Sequence, residues 1–174
     1  ILKTPQVEMA RALLDYQNRN REFLSEWVSR RDERFYTLEQ QRVNLALDRD
    51  DLARGACLRL YAFKKGDAGR IIGTAALTNI VYGSFLSCFL GYMLDAHEIH
   101  KGYMTEIVHK LVEIGFTELG LHRIEANIMP RNAASLALAR KLGFVEEGRS
   151  PNYLKINGVW EDHIHMVRFN EAMG

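Results

Sequence analysis

The stretch SFLSCFLGYMLDAHEIHKGYMTEIVHKLVEIGFTELGLHRIEANIM, residues 84–129, decides the fold. It opens with SFLSCFLGYML, whose aromatic and apolar side chains are typical of a strand. From residue 103 to residue 119 apolar side chains recur at helical spacing, and Gly120 follows as a C-cap. HRIEANIM then predicts a second strand. Such a strand-helix-strand unit predicts two parallel strands joined by a right-handed crossover.

The segments before this unit predict helices followed by an antiparallel meander. CLRLYAFKK and GRIIGTAALTNI are rich in β-branched and aromatic residues, and GDAG and YGS separate the successive segments. Together with SFLSCFLGYML they predict three antiparallel strands. Helical spacing predicts two short helices between Val7 and Trp27, broken near NRN, and a charged surface helix over 38–53.

The segments after the unit predict one more helix and a hairpin. A helix over 132–142 has Asn132 as its N-cap and ends at Gly143. FVEEGRS, YLKI and WEDHIHMVRF follow, with a hairpin turn at Asn157-Gly158. The fold class is therefore α+β: a mixed, mostly antiparallel sheet with one parallel βαβ step and flanking helices.

Length and composition indicate a single domain over residues 1–174. The net charge of +1, with 26% charged residues of both signs, argues against a nucleic-acid-binding surface. Cys57 and Cys88 lie in apolar surroundings without CxxC spacing, which predicts buried thiols and a cytoplasmic protein. We expect no membrane partner, because no apolar run approaches about 20 residues and no signal-peptide pattern is visible. The chain starts at Ile1, and we expect a short piece to precede it.

The loop DAHEIHKGYMTE, residues 95–106, has two interpretations. Gly102 can serve only as a turn residue between a strand and a packing helix. Alternatively, the loop amides and the helix N-terminus form a site for an anion such as a pyrophosphate. In a mixed sheet a ligand is expected where the pairing changes, at the carboxyl end of the strand before this loop.

Three segments resemble the Gcn5-related N-acetyltransferase (GNAT) superfamily, and within it the ribosomal-protein-alanine N-acetyltransferases of the Rim type. They are HKGYMTE, IEANIMPRNAASLALARKLGFVEEG and YLKINGVWEDH. The resemblance covers most of the C-terminal half. It implies the GNAT acyl-CoA N-acyltransferase fold, acetyl-CoA as cosubstrate, and acetyl transfer to an amine.

The resemblance also implies a set of residues that bind acetyl-CoA. The cofactor would run along the end of one strand, contact the loop that resembles the pyrophosphate loop, and reach the next strand and helix. The residues are Met93, Leu94, His100, Lys101, Gly102, Tyr103, Met104, Thr105, Asn127, Asn132 and Ser135. Two loop positions depart from the family pattern Q/R-x-x-G-x-G/A, because Ile99 and Met104 replace its first and last residues. We therefore expect backbone donors to bind the pyrophosphate.

Two catalytic roles are open. Many relatives place a tyrosine at the position of Ala139 as general acid; Ser135, one helical turn earlier, matches the serine that Rim-type members use instead. Ser135 is thus a hypothetical proton donor to the departing thiolate. Glu125 matches a glutamate that some relatives use as general base, and its alternative is an ion pair with Arg123. His163 and His165 share one strand face without a third ligand nearby, so no metal is expected.

The acceptor is predicted to be a protein or peptide N-terminal amine. An α-amine has a pKa of about 7.7–8.0 against about 10.4 for lysine, so neutralising lysine near pH 7 costs roughly 3.5 kcal/mol more. Trp27, Tyr82 and Tyr153 are candidates for lining the acceptor groove. The alternatives are a small amine, such as a polyamine or an aminoglycoside, and a non-catalytic acyl-CoA sensor. A monomer or a homodimer is expected.

Overall fold

A computed structural model describes residues 1–173 and has one seven-stranded sheet. The strands are β1 (Leu2–Lys3), β2 (Leu58–Lys64), β3 (Asp67–Val81), β4 (Ser87–Leu94), β5 (Arg123–Ile128), β6 (Val145–Ile156) and β7 (Val159–Phe169). Their order across the sheet is β1-β2-β3-β4-β5-β7-β6. The helices are α1 (Ala10–Arg19), α2 (Arg21–Ser25), α3 (Leu38–Ala53), α4 (Tyr103–Thr117) and α5 (Ala133–Lys141).

The predicted α+β class and its element order are confirmed. β2, β3 and β4 pair as an antiparallel meander, and β4 pairs with β5 in parallel across α4. The hairpin turn at Asn157 and Gly158 joins β6 to β7, and both residues have the positive φ angles, 48° and 86°, that this turn needs.

Two strands differ from the prediction. β1 was missed because two residues, paired with Ala62 and Tyr61 of β2, are too short to show a period. FVEEGRS and YLKI belong to one strand, β6, which continues past Pro151. The register shifts there, and Asn152 has a φ of 50°. A bulge at an edge strand accommodates proline, because the missing N–H has no ladder partner to lose.

The two faces of the sheet carry separate hydrophobic clusters. One face packs against α4 and α5, with Leu77, Leu111 and Ile124 among its fully buried side chains. The other packs against α1 and α3, where Leu13, Tyr16 and Leu45 are buried. Side chains alternate along the central strands and so reach both clusters, and the molecule has three layers, with helices on both faces of the sheet.

The pairing of β4 with β5 ends early. It covers three residue pairs, the last of which joins Phe89 to Glu125. β4 continues to Leu94 while paired with β3, and β5 continues to Ile128 while paired with β7. A gap therefore opens between the carboxyl ends of the two strands, which their outer neighbours hold apart.

Within residues 1–173, no helix has both the length and the apolar character that crossing a bilayer requires.

Gly73 of β3 is expected to tolerate no side chain. An added Cβ would lie 2.9 Å from the Met93 carbonyl oxygen and 3.1 Å from a Leu94 methyl group. Gly73→Ala should therefore push β4 away at the gap and lower the free energy of unfolding by about 1–3 kcal/mol in urea denaturation. Gly91→Ala is the matched control, because nothing lies within 4 Å of its added Cβ. Equal stability of the two variants would show that β3 and β4 are not this close.

Candidate active site

The gap between β4 and β5 connects two clefts. The first, called here the sheet cleft, has a volume of about 290 Å³ and is lined on the α1 and α3 side by residues that include Arg59, Thr74, Asn127 and His163. The second, called the loop groove, has a volume of about 430 Å³ and runs along the ends of α4 and α5. Both are lined by Trp27, Tyr92, Met93, Asn132 and Ser135. These five residues form the junction of the two clefts.

The start of α4 presents main-chain amides to the loop groove. Gly102 is the N-cap with a left-handed φ of 83°, and His100 before it has a φ of 61°. The first amide bonded back into the helix is that of Glu106, which donates to the Gly102 carbonyl at 3.2 Å. The amides of Tyr103, Met104 and Thr105 precede that bond, so they and the helix dipole favour an anion.

A buried carboxylate fixes the loop to the rest of the molecule. The Asp95 side chain is fully buried and accepts hydrogen bonds from Arg19 at 2.7 Å, Arg70 at 3.2 Å and the His97 amide at 3.0 Å. Burial alone would raise the pKa of Asp95, but the His97 amide and the two guanidinium groups outweigh it and hold that pKa below its usual range. Asn20 adds a second link to α1, because its side-chain oxygen accepts from the Ala96 amide at 2.8 Å.

A second buried carboxylate lies nearer to the helix. Glu98 is 3% exposed and pairs with Lys64 at 2.7 Å and Lys101 at 3.2 Å. Burial opposes its ionisation, yet the two ammonium groups lower the pKa of Glu98. The Lys101 side chain therefore turns toward Glu98 and the His97 carbonyl, to which it donates at 2.6 Å. Ile99, in place of the family's Gln or Arg, lines the loop groove.

A pair of hydroxyl groups lies at the junction. The Ser135 Oγ is 2.7 Å from the Tyr92 hydroxyl, and either group can be the donor. The Ser135 amide donates to the Asn132 side-chain oxygen at 3.1 Å, so Asn132 caps α5 as its position predicted. Burial raises the pKa of Tyr92. The pair therefore stays protonated at neutral pH and can donate a proton.

The sheet cleft contains buried polar atoms that lack a partner. Among the residues that the structure describes, the Thr74 hydroxyl and the Asn127 side-chain oxygen are buried without a hydrogen bond. Both residues line the sheet cleft. Such groups are rare in folded proteins because desolvation without a partner costs about 1–3 kcal/mol. A ligand with polar groups would satisfy them.

Glu125 lies apart from the junction. Its carboxylate accepts from Arg123 at 2.6 Å and from His165 at 2.7 Å, and it lines neither cleft. Burial would raise the pKa of Glu125, but Arg123 and His165 outweigh burial and lower it. The structure thus places Glu125 in the ion pair that was the alternative to a catalytic role, and a carboxylate held this way is a weak base.

The predicted aromatic residues lie in three different places. Trp27 lines both clefts, and the Arg131 guanidinium lies 5.0 Å from its ring. Tyr82 is half exposed in the turn between β3 and β4, next to Gly55, at the other end of the sheet. Tyr153 packs against His163, a cleft residue, with 5.5 Å between ring centres.

The residues predicted to bind acetyl-CoA also lie in more than one place. Met93, Leu94, His100, Gly102, Met104 and Thr105 line the loop groove. The Tyr103 ring instead lies 5.7 Å from the Lys64 ammonium group, outside the groove, so only its amide remains available there. Asn132 and Ser135 lie at the junction, and Asn127 lies in the sheet cleft.

Sequence reasoning missed the Tyr92 side chain, Thr74 and the cleft position of His163. Side chains alternate between the two faces along a strand such as β4, so a pattern can indicate the face on which Tyr92 lies. It cannot indicate the contact with Ser135, which is 43 residues away. Thr74 occupies an ordinary strand position in GRIIGTAALTNI, and no pattern marks its hydroxyl as unpaired.

Residues 25–29 close over the junction. The Arg131 guanidinium donates to the Glu26 carbonyl at 2.8 Å, and the Asn157 side chain donates to the Ser25 carbonyl. The Ser29 hydroxyl donates to the Lys155 carbonyl at 3.3 Å. These contacts fasten the segment to the β6–β7 hairpin and to the loop between β5 and α5, and Trp27 lies where the two clefts meet.

A helix end that favours an anion on one side of a strand gap, and unpaired polar groups on the other, are typical of an enzyme that brings two substrates together for group transfer. The acetyltransferase (GNAT) domain family matches residues 1–145, and the chain belongs to this family. It is an N-acetyltransferase.

Two relatives are similar over most of their length. The probable N-acetyltransferase YjcK of Bacillus subtilis (strain 168) is 41% identical over 150 residues, which are 86% of this chain and 82% of that protein. The ribosomal protein uS5-alanine N-acetyltransferase of Escherichia coli (strain K12) is 36% identical over 152 residues, 87% of this chain and 78% of that protein.

Two solved structures share the fold. The ribosomal-protein-S5-alanine acetyltransferase of Vibrio fischeri superposes with a TM-score of 0.93 at 32% identity, over 98% of this chain and 92% of that one. Mycobacterium smegmatis RimJ in complex with CoA-disulfide gives a TM-score of 0.92 at 24% identity, over 99% and 82%. The second similarity, at this identity, concerns the fold alone.

Asp95→Asn is expected to destabilise the protein in a pH-dependent way. Removing one charge of a buried pair costs about 3–5 kcal/mol, and the partial exposure of Arg19 and Arg70 reduces the expected loss to about 2 kcal/mol at pH 7. Because the pKa of Asp95 is lower in the folded protein, its contribution is present above the unfolded value of about 3.9 and is lost as the pH falls through the folded value.

Urea denaturation at pH 7 and at stepwise lower pH measures this difference. The difference in free energy of unfolding between wild type and Asp95→Asn should shrink below about pH 4. Asp50→Asn, at an exposed pair with Arg49, is the control and should change little. If that difference in free energy of unfolding is unchanged at low pH, the loss of stability does not come from the Asp95 charge.

Proposed function

We propose that the protein transfers the acetyl group of acetyl-CoA to the N-terminal α-amine of a protein, as ribosomal-protein-alanine acetyltransferases do. One observation carries this proposal: two clefts meet at the gap between β4 and β5, with the hydroxyl pair of Ser135 and Tyr92 at the junction. A thioester in one cleft and an amine in the other would then come together beside a proton donor.

Acetyl-CoA fits the loop groove. Its pyrophosphate would accept from the first amides of α4, around Gly102 and Thr105, with His100 beside it. Its pantetheine arm would follow the free edge of β4 at Met93 and Leu94, whose main-chain groups no longer pair with β5. The RimJ structure, a complex with CoA-disulfide in the same fold, supports this assignment.

The chain's own residues then act on the reacting atoms. The neutral amine nitrogen bonds to the acetyl carbon and gives up one proton to a base, and the bond from carbon to sulfur breaks with its electrons on sulfur. Ser135 donates its hydroxyl proton to that thiolate, and the Tyr92 hydroxyl, 2.7 Å away, stabilises the oxygen left behind. A proton donor other than the family tyrosine thus compensates for Ala139, which argues against a non-catalytic sensor.

The charges around the sheet cleft give a polyamine no advantage over a peptide. Past Arg59 and Thr74 the cleft continues into a polar extension that Arg31, Asp48 and Asp51 also line. Arg59 pairs with Asp48 at 3.0 Å, and in the described part of the chain Arg31 has no carboxylate within ion-pair distance. The arginine charges therefore offset the two carboxylates, and no excess of negative charge is left to attract a polycation. A peptide places only one amine at the junction.

The cysteines support a reducing compartment. Cys57 and Cys88 are both buried and unbonded. Burial raises the pKa of each thiol, so each stays protonated and inert. We therefore propose that the protein acts in the cytoplasm, where ribosomal proteins are made.

The substrate class is tested by thiol release from acetyl-CoA with three acceptors. We expect release with a peptide that has a free alanine N-terminus. We expect none with an N-blocked peptide that contains an internal lysine, and none with spermidine. Release with spermidine alone would replace the peptide proposal, and release with no amine would favour the sensor.

Ser135→Ala should lower kcat by about 10²-fold or more, because a positioned proton donor contributes about 10²–10⁴-fold. Tyr92→Phe should lower it as well, and the double variant should lose less than the product of the two effects, because the two groups act as a unit. Steady-state kinetics with the alanine peptide measures this. Ser150→Ala, which removes a hydroxyl bonded to His165 outside both clefts, is the control. Unchanged turnover in Ser135→Ala would remove the proposed role.

A further inference from the structure

The sheet cleft contains one side chain that is able to take a proton from an amine near neutral pH. Among the cleft-lining residues that the structure describes, the ionisable side chains are Arg59, Tyr92 and His163. Arginine stays protonated, and burial keeps Tyr92 protonated. Histidine is the residue type that changes charge between pH 5 and 8. Glu125, the base candidate from the sequence, lines neither cleft.

The hydrogen bond of His163 fixes its tautomer. Its Nδ1 lies 3.1 Å from the Glu161 main-chain carbonyl oxygen. A carbonyl oxygen only accepts, so Nδ1 carries a hydrogen, and in the neutral imidazole Nε2 then carries the lone pair. The residue is 3% exposed, and the Tyr153 ring packs against the imidazole, which restricts its rotation. In the neutral form of His163, Nε2 is therefore the nitrogen free to accept a proton, and the ring is oriented.

Its neighbour His165 shows the contrast. It lies two residues away on the same strand face, yet both of its ring nitrogens are occupied. Nδ1 is 2.7 Å from the Glu125 carboxylate, and Nε2 is 2.7 Å from the Ser150 hydroxyl. His165 lines neither cleft. The two histidines thus differ in their access to the acceptor, although the sequence presents them alike.

The register of the sheet places His163 beside the junction. The pairing of β5 with β7 runs as far as Ile128 and Ile164, so His163 lies one residue further toward the carboxyl end of β5. At this end β4 and β5 have already parted. Asn127, with its unpartnered side-chain oxygen, is on the same face. An amine that donates one N–H to Asn127 would have another available for His163.

We propose that His163 is the general base of the acetyl transfer, with Nε2 as the atom that takes the proton; this rests on the proposed function. As the nitrogen of the acceptor bonds to the acetyl carbon, it loses one proton to His163 Nε2. The electrons of the carbon–sulfur bond go to sulfur, and Ser135 protonates the thiolate. His163 afterwards releases its proton to solvent, and the Ser135–Tyr92 pair regains one from solvent, so protons and charge balance.

His163→Asn is the decisive variant. The asparagine amide takes the place of Nδ1–H toward the Glu161 carbonyl but offers no basic nitrogen. We expect kcat/KM for the alanine peptide to fall by about 10²–10⁴-fold. The Kd for acetyl-CoA should stay within about twofold of wild type, because His163 lines the sheet cleft and not the loop groove. His165→Asn is the matched control and should keep activity within a few fold.

A second variant separates a base from a packing residue. His163→Ala leaves space beside the cleft, and added imidazole should restore part of its rate while leaving wild type and Ser135→Ala unchanged. Loss of activity without rescue, together with a lowered melting temperature, would assign His163 a structural role and overturn the proposal. Wild-type turnover that His163→Asn retains would also overturn it. Absence of thiol release by the wild type with any amine would instead overturn the proposed function.

Discussion

The early end of the pairing between β4 and β5 is the constraint on which the rest of the site depends. Three residue pairs join the strands, and β3 and β7 then hold them apart. Main-chain groups that would be satisfied inside a complete sheet stay available to a ligand. Gly73 belongs to the same constraint, because a side chain there would meet the Met93 carbonyl at the edge of the gap.

Buried ion pairs and hydrogen bonds connect the N-terminal helices to the loop groove. Arg19 and Asn20, at the end of α1, reach Asp95 and Ala96 at the start of the loop that leads to α4. Glu98 adds two lysine pairs further along the same loop. The anion site is a backbone feature, but its shape depends on side chains from α1 and from strands far away in the sequence. This network positions the loop without a polar side chain at Ile99.

Periodicity and turn chemistry were enough to predict the antiparallel meander, the one parallel step, the hairpin turn at Asn157 and Gly158 and the N-cap of α5, but not β1 or the continuity of β6. They could not predict contacts between distant segments. Trp27 and Tyr82 are both aromatic residues near element ends, yet one lies over the junction and the other at the far end of the sheet. Glu125 matched a catalytic position, and only the geometry shows that Arg123 and His165 occupy its carboxylate. His163 and His165 are indistinguishable by pattern, because their difference lies in their hydrogen bonds: His165 bonds to side chains of two neighbouring strands, and His163 bonds to a main-chain carbonyl of its own strand.

The closure of residues 25–29 over the junction has an evolutionary consequence. In the described part of the chain three hydrogen bonds join this segment to distant residues, and a main-chain carbonyl is the acceptor in each. The Glu26 side chain forms none of them, and the Ser25 hydroxyl bonds only to the Glu22 carbonyl of the same short helix. These two positions can therefore diverge as a lineage adapts to new acceptors, whereas Ser29, Arg131 and Asn157, which supply the donors, are constrained.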